Sequence, residues 1–275
     1  MAPVLPPPEP KYNVASQVSV IVPTIDADET FVEALTTWIS NRPLEIIIVT
    51  IAIEYSRIRS IVDEALENLP LGDTTKVNVL SIPLPGKRRQ MAHGIQQAKG
   101  SIIILCDDDI FWPPALITSI VACFESPQVG GVGTRQRARL PADTEASFWQ
   151  ILAKRRLRGR NIYMCSMNYV DGGVTCLSGR TAGYRSVILK DPVFIHRFTN
   201  DYWNGKYLLD SGDDTFITRW LYSTGWKIKI QADPDAEIET VVVDSSKYLK
   251  QMLRWARNTK RSYLRCLTGI PGFWK

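Results

Sequence analysis

Three consecutive carboxylates, Asp107, Asp108 and Asp109, follow a short apolar run near the middle of the chain. The run, Ile102 to Cys106, has the length and β-branched content of a strand buried on both faces of a parallel sheet. Ligands of open α/β sheets bind beyond the carboxyl ends of strands. One or two carboxylates there commonly share Mg²⁺ or Mn²⁺ with substrate phosphates. The pattern therefore predicts a divalent cation site; the alternative is an acidic turn that caps the next helix.

A second acidic pair, Asp213 and Asp214, stands just before an apolar stretch that is typical of a helix. Carboxylates at a helix amino terminus are stabilised by the helix dipole, so capping is one complete explanation. The other explanation is general base catalysis, in which a carboxylate takes the proton of a sugar hydroxyl while that oxygen attacks. In the second interpretation Asp213 caps the helix and Asp214 does the chemistry.

Gln251, Arg254 and Trp255 are spaced at i, i+3 and i+4 on a long amphipathic helix predicted over 247–267, so they share one face. An amide, a guanidinium and an aromatic plane together suit a diphosphate leaving group and a stacked sugar ring. The alternative is an amphipathic helix with one tryptophan in the core. The rest of this helix is strongly basic, which suits an acidic membrane surface.

Two basic segments and one glycine turn complete the candidate residues. Lys87 and Arg88 follow a glycine turn, where cations can hold a pyrophosphate; a surface cluster at a helix start is the alternative. The basic cluster at 154–160 is either a solvated face or a contact to a phosphate or an anionic membrane. Ser178 and Gly179, between two apolar segments, predict a close approach of backbone to a ligand.

Strands and helices alternate along the first half of the chain, which predicts parallel βαβ units and a doubly wound sheet. The predicted strands are 18–22, 45–53, 77–82 and 102–106, and the predicted helices are 28–40, 56–69 and 90–99. The second half is less regular, with strands predicted at 129–132 and 226–230 and a helix at 215–221. Pro113 and Pro114 are expected in the first turn of a further helix.

Length and composition set limits on the class of protein. The 275 residues suffice for one large α/β domain or two small ones, and a net charge of +5 does not call for nucleic acid. The five cysteines lack metal-type spacing, which favours a reducing compartment, and neither histidine has partners at zinc-ligand spacing. The amino terminus is proline-rich where a secretory signal would be apolar, and no apolar run is long enough to cross a bilayer.

Together these motifs resemble the family-2 glycosyltransferases, especially the processive synthases of cellulose, chitin and hyaluronan. The resemblance covers about 18–265 of the sequence. The matching segments are Val18-Ser-Val-Ile-Val-Pro-Thr24 (nucleotide-binding strand), Gly86-Lys-Arg88 (basic turn), Asp107 with Asp109 (Asp-x-Asp metal motif), Gly212-Asp-Asp214 (Gly-Glu-Asp motif) and Gln251-Met-Leu-Arg-Trp255 (Gln-x-x-Arg-Trp signature). Several fungal membrane polysaccharide synthases are similar at Cys-Asp-Asp-Asp and Gly-Asp-Asp.

The resemblance implies a GT-A-type α/β fold, a single domain with a central, mostly parallel mixed sheet flanked by helices. Residues 1–12 would form a proline-rich arm, 13–135 the nucleotide-sugar half of the domain and 136–275 the acceptor half. The implied activity is inverting hexosyl transfer from a UDP-sugar to a carbohydrate acceptor in polysaccharide synthesis. The implied cofactor is Mg²⁺ or Mn²⁺, the implied location is the cytosolic face of a membrane, and no nucleic acid partner is expected.

The implied residue roles follow the matched positions. The nucleotide would contact Pro23, Thr24, Asp26, Lys87, Arg88, Asp107 and Asp108, and the metal would contact Asp107 and Asp109. Asp214 would be the base, with Asp213 beside it. The acceptor and the diphosphate would contact Gln251, Arg254, Trp255, Ser178 and Gly179.

Two departures from the family pattern affect these expectations. Thr50 stands where the family usually has an aspartate that contacts the nucleotide base, and Glu54 is a possible substitute. Processive members also have transmembrane helices beside this domain, and this sequence contains none, so it is expected to be a fragment, a truncated product or a soluble relative. Two other interpretations stay open: a nucleotidylyltransferase, which leaves Asp214 unused, and a non-catalytic protein that binds a membrane surface or nucleic acid.

Overall fold

The structure is a computed structural model that describes residues 2–67, 75–140 and 145–269. Its strands are β1 (Val18–Pro23), β2 (Glu45–Ile51), β3 (Lys76–Ile82), β4 (Ile102–Cys106), β5 (Ile110–Phe111), β6 (Val129–Thr134), β7 (Gln136–Arg139), β8 (Thr181–Arg185), β9 (Tyr202–Trp203), β10 (Tyr207–Leu208), β11 (Lys227–Gln231) and β12 (Ile238–Val241). Its helices are α1 (Val14–Gln17), α2 (Glu29–Ser40), α3 (Tyr55–Glu67), α4 (Lys87–Gln97), α5 (Leu116–Ala122), α6 (Phe148–Val170), α7 (Ser186–Leu189), α8 (Pro192–Thr199), α9 (Asp213–Ser223) and α10 (Lys247–Gly269).

A seven-stranded mixed sheet forms the centre, in the order β11-β6-β8-β4-β1-β2-β3. Strand β4 pairs in parallel with β1 and antiparallel with β8, whose other neighbour, β6, is also antiparallel to it. The remaining pairs, β1 with β2, β2 with β3 and β6 with β11, are parallel. The chain is therefore an α/β protein with a mostly parallel mixed sheet flanked by helices, as the sequence predicts.

Alternating strand residues fill two hydrophobic clusters, one on each face of the sheet. Ile104 belongs to the cluster that includes residues of α2 and α5, and its neighbour Ile103 belongs to the cluster that includes residues of α4 and α8. All five residues of β4 are buried, which confirms the prediction of a strand covered on both faces. Because β4 is central and rigidly held, the carboxylates that follow it leave the sheet at a fixed point.

Several element boundaries differ from the sequence-based predictions. Helix α4 begins at Lys87 rather than at residue 90, so the basic pair lies in its first turn. Pro113 and Pro114 precede α5, which begins at Leu116, because β5 before them pairs with β12 in a separate three-stranded sheet with β7. The predicted end of the helix at residue 69 lies outside the described residues.

The long helix α6 was not predicted beyond its basic cluster. Its 23 residues include few buried side chains, so the apolar periodicity that signals a helix is weak. Ser147 caps it in a capping box with Gln150. Because the cluster at 154–160 lies within this helix, its residues point to different sides of α6 and have different surroundings.

The amino-terminal arm contacts the domain. The amide of Val4 donates to Gln231 Oε1 (3.1 Å), and its carbonyl oxygen accepts from Gln231 Nε2 (2.8 Å). The amide of Lys11 donates to a carboxylate oxygen of Glu125 at 2.8 Å. Among the residues described, no helix has both the length and the apolar character needed to cross a bilayer.

Candidate active site

A cavity of about 1000 Å³ opens beyond the carboxyl end of β4. Its walls come from the end of β4, the start of α4, the segment before β8, the start of α9 and one side each of α6 and α10. The sequence-predicted site residues that line it are Lys87, Asp107, Asp109, Ser178, Gly179, Asp213, Asp214, Gln251, Arg254 and Trp255. Segments from both halves of the chain thus meet around one volume that is large enough for a nucleotide sugar.

The carboxylates that follow β4 are individually positioned. The amide of Asp107 donates to the carbonyl of Arg180 at 3.0 Å, which continues the β4–β8 ladder to the edge of the cavity. Asp108 turns aside and accepts a hydrogen bond from Thr24 Oγ1 at 2.5 Å. Asp107 and Asp109 line the cavity instead. The Asp-x-Asp spacing therefore puts its two outer carboxylates on the same cavity wall.

The neighbouring carboxylates at the end of β4 repel one another. Burial, with the charges of Asp107 and Asp108, raises the pKa of Asp109 to about 7. Burial also raises the pKa of Asp108, against the effect of its hydrogen bond from Thr24. Accumulated negative charge of this kind, beside a cavity, is what a bound cation would relieve.

Lys87 joins the two acidic motifs. Its ammonium lies 2.6 Å from Asp107 Oδ1 and 3.5 Å from Asp213 Oδ2. Burial lowers the pKa of Lys87, but the charges of Asp107, Asp213 and Asp214 together outweigh it, so the net pKa is raised. The helix start that carries Lys87 is itself held by Asp210, whose carboxylate accepts from the Lys87 amide at 3.2 Å. A permanent positive charge therefore stands between the two acidic pairs.

The second acidic pair opens helix α9. Gly212 is the cap residue, with a φ of +77°, a left-handed conformation that favours glycine. The expectation that Asp213 caps the helix is wrong, because Asp213 is the first residue inside it and the cap position has no side-chain hydrogen bond. Asp214 Oδ1 accepts from the Thr215 amide at 2.7 Å. Burial, followed by the charge of Asp213, raises the pKa of Asp214. Asp213 is buried, and its Oδ2 has no hydrogen-bond partner among the described residues. Its contact with Lys87 is an ion pair without a hydrogen bond.

Gly179 fits closely against these groups. A Cβ on Gly179 would lie 3.2 Å from Asp213 Oδ2 and 3.8 Å from the Lys87 ammonium. The absence of a side chain there leaves the acidic pair open to the cavity, in line with the sequence-based prediction of a close backbone approach. Ser178, which is buried beside it, also lines the cavity.

The opposite wall is formed by helix α10. Gln251, Arg254 and Trp255 line the cavity from one side of this helix, as their spacing predicts. The Trp255 ring is half-buried, with the guanidinium of Arg156 at 5.5 Å and that of Arg180 at 5.3 Å from its centre. Trp255 is thus part of the cavity wall rather than of the hydrophobic core.

Arg88 does not reach the cavity, in contrast to the sequence-based expectation that it binds a nucleotide. It is 3% exposed, and it pairs with Asp201 at 2.9 Å between the rings of Phe198 and Phe216. Its guanidinium also donates to the carbonyl of Gly212 at 3.1 Å. The physical reason is helical phase, because consecutive residues of α4 point about 100° apart. Arg88 therefore stabilises the loop before α9 from the protein interior, by donating hydrogen bonds to its carbonyl groups.

The first strand end lies beside the cavity rather than on its wall. Pro23 and Thr24 are buried at the end of β1, and Asp26 is exposed in the turn that follows. Gln90 Nε2 ties this end to β2 by donating to the carbonyls of Thr24 (3.0 Å) and Val49 (2.8 Å). These bonds fix the spacing of the two strand ends next to Asp108.

No carboxylate replaces the family aspartate at the end of β2. Thr50 is fully buried, and its hydroxyl has no hydrogen-bond partner in the part of the chain that the structure describes. Glu54 lies farther along and forms an ion pair with Arg57 at 2.7 Å. Arg57 in turn donates to the carbonyl of Ala27 at 2.8 Å. Glu54 is therefore engaged in a contact between α3 and the turn after β1.

Several cavity residues were not singled out by the sequence. Arg180 is half-buried, donates to Gln136 Oε1 (3.0 Å) and Thr240 Oγ1 (3.1 Å), and has a pKa lowered chiefly by loss of solvent. Its position directly after Ser178-Gly179 was the available signal. Arg155, Arg156 and Arg160 also line the cavity, although a solvated helix face was the favoured interpretation of their cluster. Recognising them requires the phase of α6, which the sequence does not reveal.

The donor set fits a divalent cation that a substrate helps to hold. Among the described residues, no group of three or more His, Cys, Asp or Glu side chains is arranged to hold a metal by itself. Asp107 and Asp109 nevertheless face one cavity with excess negative charge between them. Two carboxylates completed by water and substrate phosphates are a usual arrangement for Mg²⁺ or Mn²⁺.

Solved structures of glycosyltransferases share this fold. The mannosyltransferase PcManGT from Pyrobaculum calidifontis, in complex with GDP-Man and Mn²⁺, aligns with all of this chain and 70% of its own, with a TM-score of 0.70 at 18% identity. S. aureus TarS 1-349 in complex with UDP-GlcNAc aligns with 88% of this chain and 66% of its own, with a TM-score of 0.53 at 18% identity. The central sheet and its flanking helices are therefore a GT-A fold.

Sequence comparisons identify the family. A type 2 glycosyltransferase of Zymoseptoria tritici is 40% identical over 98% of this chain and 55% of its own length. The NDP-glycosyltransferase ltbB of Aspergillus luteorubrus is 33% identical over 98% of this chain and 66% of its own length. The chain thus spans about half to two thirds of these curated relatives. The family model described as glycosyltransferase-like family 2 matches residues 15–258, and the chain belongs to that family.

Proposed function

We propose that this chain is an inverting glycosyltransferase that moves a hexose from a UDP-sugar to a carbohydrate acceptor in polysaccharide synthesis. The observation that carries the proposal is the position of Lys87, which lies 2.6 Å from Asp107 and 3.5 Å from Asp213. The two acidic motifs are far apart in sequence, yet they face one cavity together with Trp255. A leaving group and an attacking hydroxyl can therefore be held in the same cavity.

On the donor side, Asp107 and Asp109 would hold Mg²⁺ or Mn²⁺ together with the diphosphate of the UDP-sugar. When bound, the cation would neutralise the negative charge that develops on the leaving diphosphate. Lys87 and Arg254 add positive charge from two other sides of the cavity. Thr24 keeps Asp108 oriented beside the cavity, next to the turn that carries Asp26.

On the acceptor side, Asp214 takes the proton of the attacking hydroxyl. That oxygen forms the new bond to the anomeric carbon while the bond from this carbon to the diphosphate oxygen breaks, and UDP leaves. Attack opposite the leaving group inverts the anomeric configuration. The raised pKa of Asp214, caused by burial and by Asp213, makes it a stronger base than an exposed carboxylate. Trp255, Gln251 and the open backbone at Gly179 would hold the acceptor sugar.

We also propose that helix α10 rests on the cytosolic face of a membrane. Leu253 and Leu264 are 52% and 53% exposed on this helix, beside exposed basic residues such as Lys250 and Arg257. Apolar side chains flanked by cations are typical of helices that lie in an anionic lipid interface. Co-sedimentation with vesicles containing phosphatidylserine tests this, and equal binding to neutral vesicles would contradict it.

The experiment that tests the transfer is a UDP-release assay over a panel of UDP-sugars, with Mn²⁺ or with EDTA. We expect Mn²⁺-dependent release of UDP, and its loss in Asp109→Asn and in Asp214→Asn. Asp63→Asn, on the exposed surface of α3, is the matched control. Release of pyrophosphate instead of UDP would identify a nucleotidylyltransferase. Full transfer by Asp214→Asn would contradict the base assignment.

A further inference from the structure

Helix α6 presents a row of arginines to the cavity. The residues of α6 that line it are Leu152, Arg155, Arg156, Leu157, Gly159, Arg160, Tyr163 and Met164, a spacing of three and four that marks one side of a helix. Lys154 and Arg158, from the same basic cluster, do not line it. The basic cluster is thus divided by helical phase into a cavity side and an outer side.

The cavity-facing arginines lack acidic partners. Within the ranges that the structure describes, neither Arg155, Arg156 nor Arg254 forms an ion pair with a carboxylate, whereas Arg88 and Arg265 both pair with Asp201. Arg156 only stacks on the Trp255 ring. Guanidinium groups that line a cavity and form no ion pair with its carboxylates keep their donors available for an anion, and their planar forks match phosphate and carboxylate oxygens.

Arg156 lies at the Trp255 ring and is not among the cations that act on the acidic strand end. The cations that act on the pKa of Asp108 and Asp109 are Lys87 and Arg180. Arg156 acts instead on Tyr248, at the start of α10. Arg156 therefore lies toward Trp255 and α10, on the side where the proposed function places the acceptor, and Arg155 precedes it on the cavity side of α6.

Gly159 leaves room for a ligand between these arginines. It lies in the interior of α6, where glycine is destabilising relative to alanine. A Cβ at Gly159 would meet no atom within 4 Å, so packing does not require glycine there. Its missing side chain widens the cavity between Arg155 or Arg156 on one turn and Arg160 on the next.

From these observations we infer that the acceptor carries an anionic group, a phosphate or a carboxylate, which Arg155 and Arg156 of α6 bind on the Trp255 side of the cavity, while Arg254 serves the donor diphosphate. The inference rests on the proposed function, because it assigns the Trp255 side of the cavity to the acceptor. It adds the chemical class of the acceptor, which family membership leaves open.

Three hexoses that differ only at C6 test the inference: glucose, glucose 6-phosphate and glucuronic acid. Each is titrated calorimetrically into the full chain, saturated with UDP and Mn²⁺ so that the donor site is filled, at 0.15 M salt. The proteins compared are the wild type, the double variant Arg155→Gln/Arg156→Gln and the matched control Lys154→Gln/Arg158→Gln. Both double variants remove two charges from the same helix, so a general field effect acts on them equally. Thermal unfolding of each variant shows that the helix is intact.

We expect at least one anionic hexose to bind about tenfold or more tightly than glucose to the wild type and to the control. In Arg155→Gln/Arg156→Gln this preference is lost. The ratio between glucose 6-phosphate and glucuronic acid identifies the anion as phosphate or carboxylate. The inference is overturned if neither anion is preferred over glucose, or if both double variants lose the preference equally.

Measuring the binding of UDP with Mn²⁺ to the same proteins distinguishes a failure of the arginine site from a failure of the proposed function. An anion preference without any UDP binding contradicts the proposed donor chemistry and leaves the arginine site in place. UDP binding without an anion preference contradicts the arginine site and leaves the transfer mechanism in place.

Discussion

The ammonium of Lys87 lies 2.6 Å from a carboxylate oxygen of Asp107, where the start of α4 meets the end of β4. The same ammonium is 3.5 Å from Asp213 at the start of α9. One cation therefore compensates carboxylates from two separate parts of the chain.

Replacing Lys87 tests this arrangement. In Lys87→Gln the cavity keeps a side chain of similar length but loses the charge that faces the leaving group, so we expect UDP release to fall about 100-fold or more. Arg89→Gln, on the exposed side of the same helix turn, is the control and should retain full activity. The measurement is the initial rate of UDP release with saturating Mn²⁺. Equal rates for the two variants would contradict the role of Lys87.

The rate of transfer should depend on pH through Asp214. Because burial and the charge of Asp213 raise its pKa, Asp214 is protonated at a higher pH than an ordinary carboxyl group, and the base is lost as the pH falls through that raised pKa. In Asp213→Asn one like charge is gone, the pKa of Asp214 falls, and the acid limb of the kcat profile moves to lower pH. An acid limb in the same place in both proteins would show that another group controls it.

Removal of Arg88 should affect stability rather than nucleotide binding. Arg88→Met leaves the buried Asp201 with Arg265 as its partner and takes two donors from the loop before α9. We expect a loss of about 3 kcal/mol in the free energy of unfolding, measured with urea. Arg89→Met should change it by less than about 0.5 kcal/mol. A stable Arg88→Met protein that no longer binds UDP would instead return Arg88 to the nucleotide site.

Gly159→Ala should separate stability from activity. The added methyl group meets no protein atom, and removing a glycine from a helix interior should raise the stability by about 0.5–1 kcal/mol. The same methyl group narrows the cavity beside Arg155 and Arg156, so transfer should slow. Ser166→Ala, at an exposed position of α6, is the control and should gain stability without slowing transfer. An active, stabilised Gly159→Ala would show that the acceptor does not use this space.

The sequence predicts most residues of the donor side of the cavity because their positions follow from local sequence patterns. A buried apolar strand places Asp107 and Asp109 at the carboxyl end of β4, and the alternation of strands and helices predicts its parallel neighbours β1, β2 and β3. Arg88 shows where this reasoning stops, since the direction of a helical residue depends on where the helix begins. Helix α4 begins three residues before its predicted start, which puts Lys87 toward the cavity and Arg88 into the core.

The acceptor side depends on long-range contacts that no local pattern reports. Helix α6 was missed because its cavity side mixes arginines with apolar residues and its outer side is solvated, so the apolar periodicity is weak. Strands β7 and β12 pair with each other across about a hundred residues of chain, which sequence periodicity does not indicate. Arg180 reaches the acidic motif only because β8 runs back along β4.

The placement of β8 between β4 and β6 interlaces the amino-terminal and carboxyl-terminal portions of the polypeptide within one hydrogen-bonded layer. Neither portion could therefore be replaced as a unit by the corresponding portion of a relative. The replacement would have to preserve every β4–β8 pair, from Cys106 opposite Thr181 to Ile102 opposite Arg185. Even Gly183 in this seam leaves no room, since a Cβ there would lie 2.7 Å from Ile120. Donor and acceptor preferences must therefore diversify by substitutions in the cavity walls, with the seam unchanged.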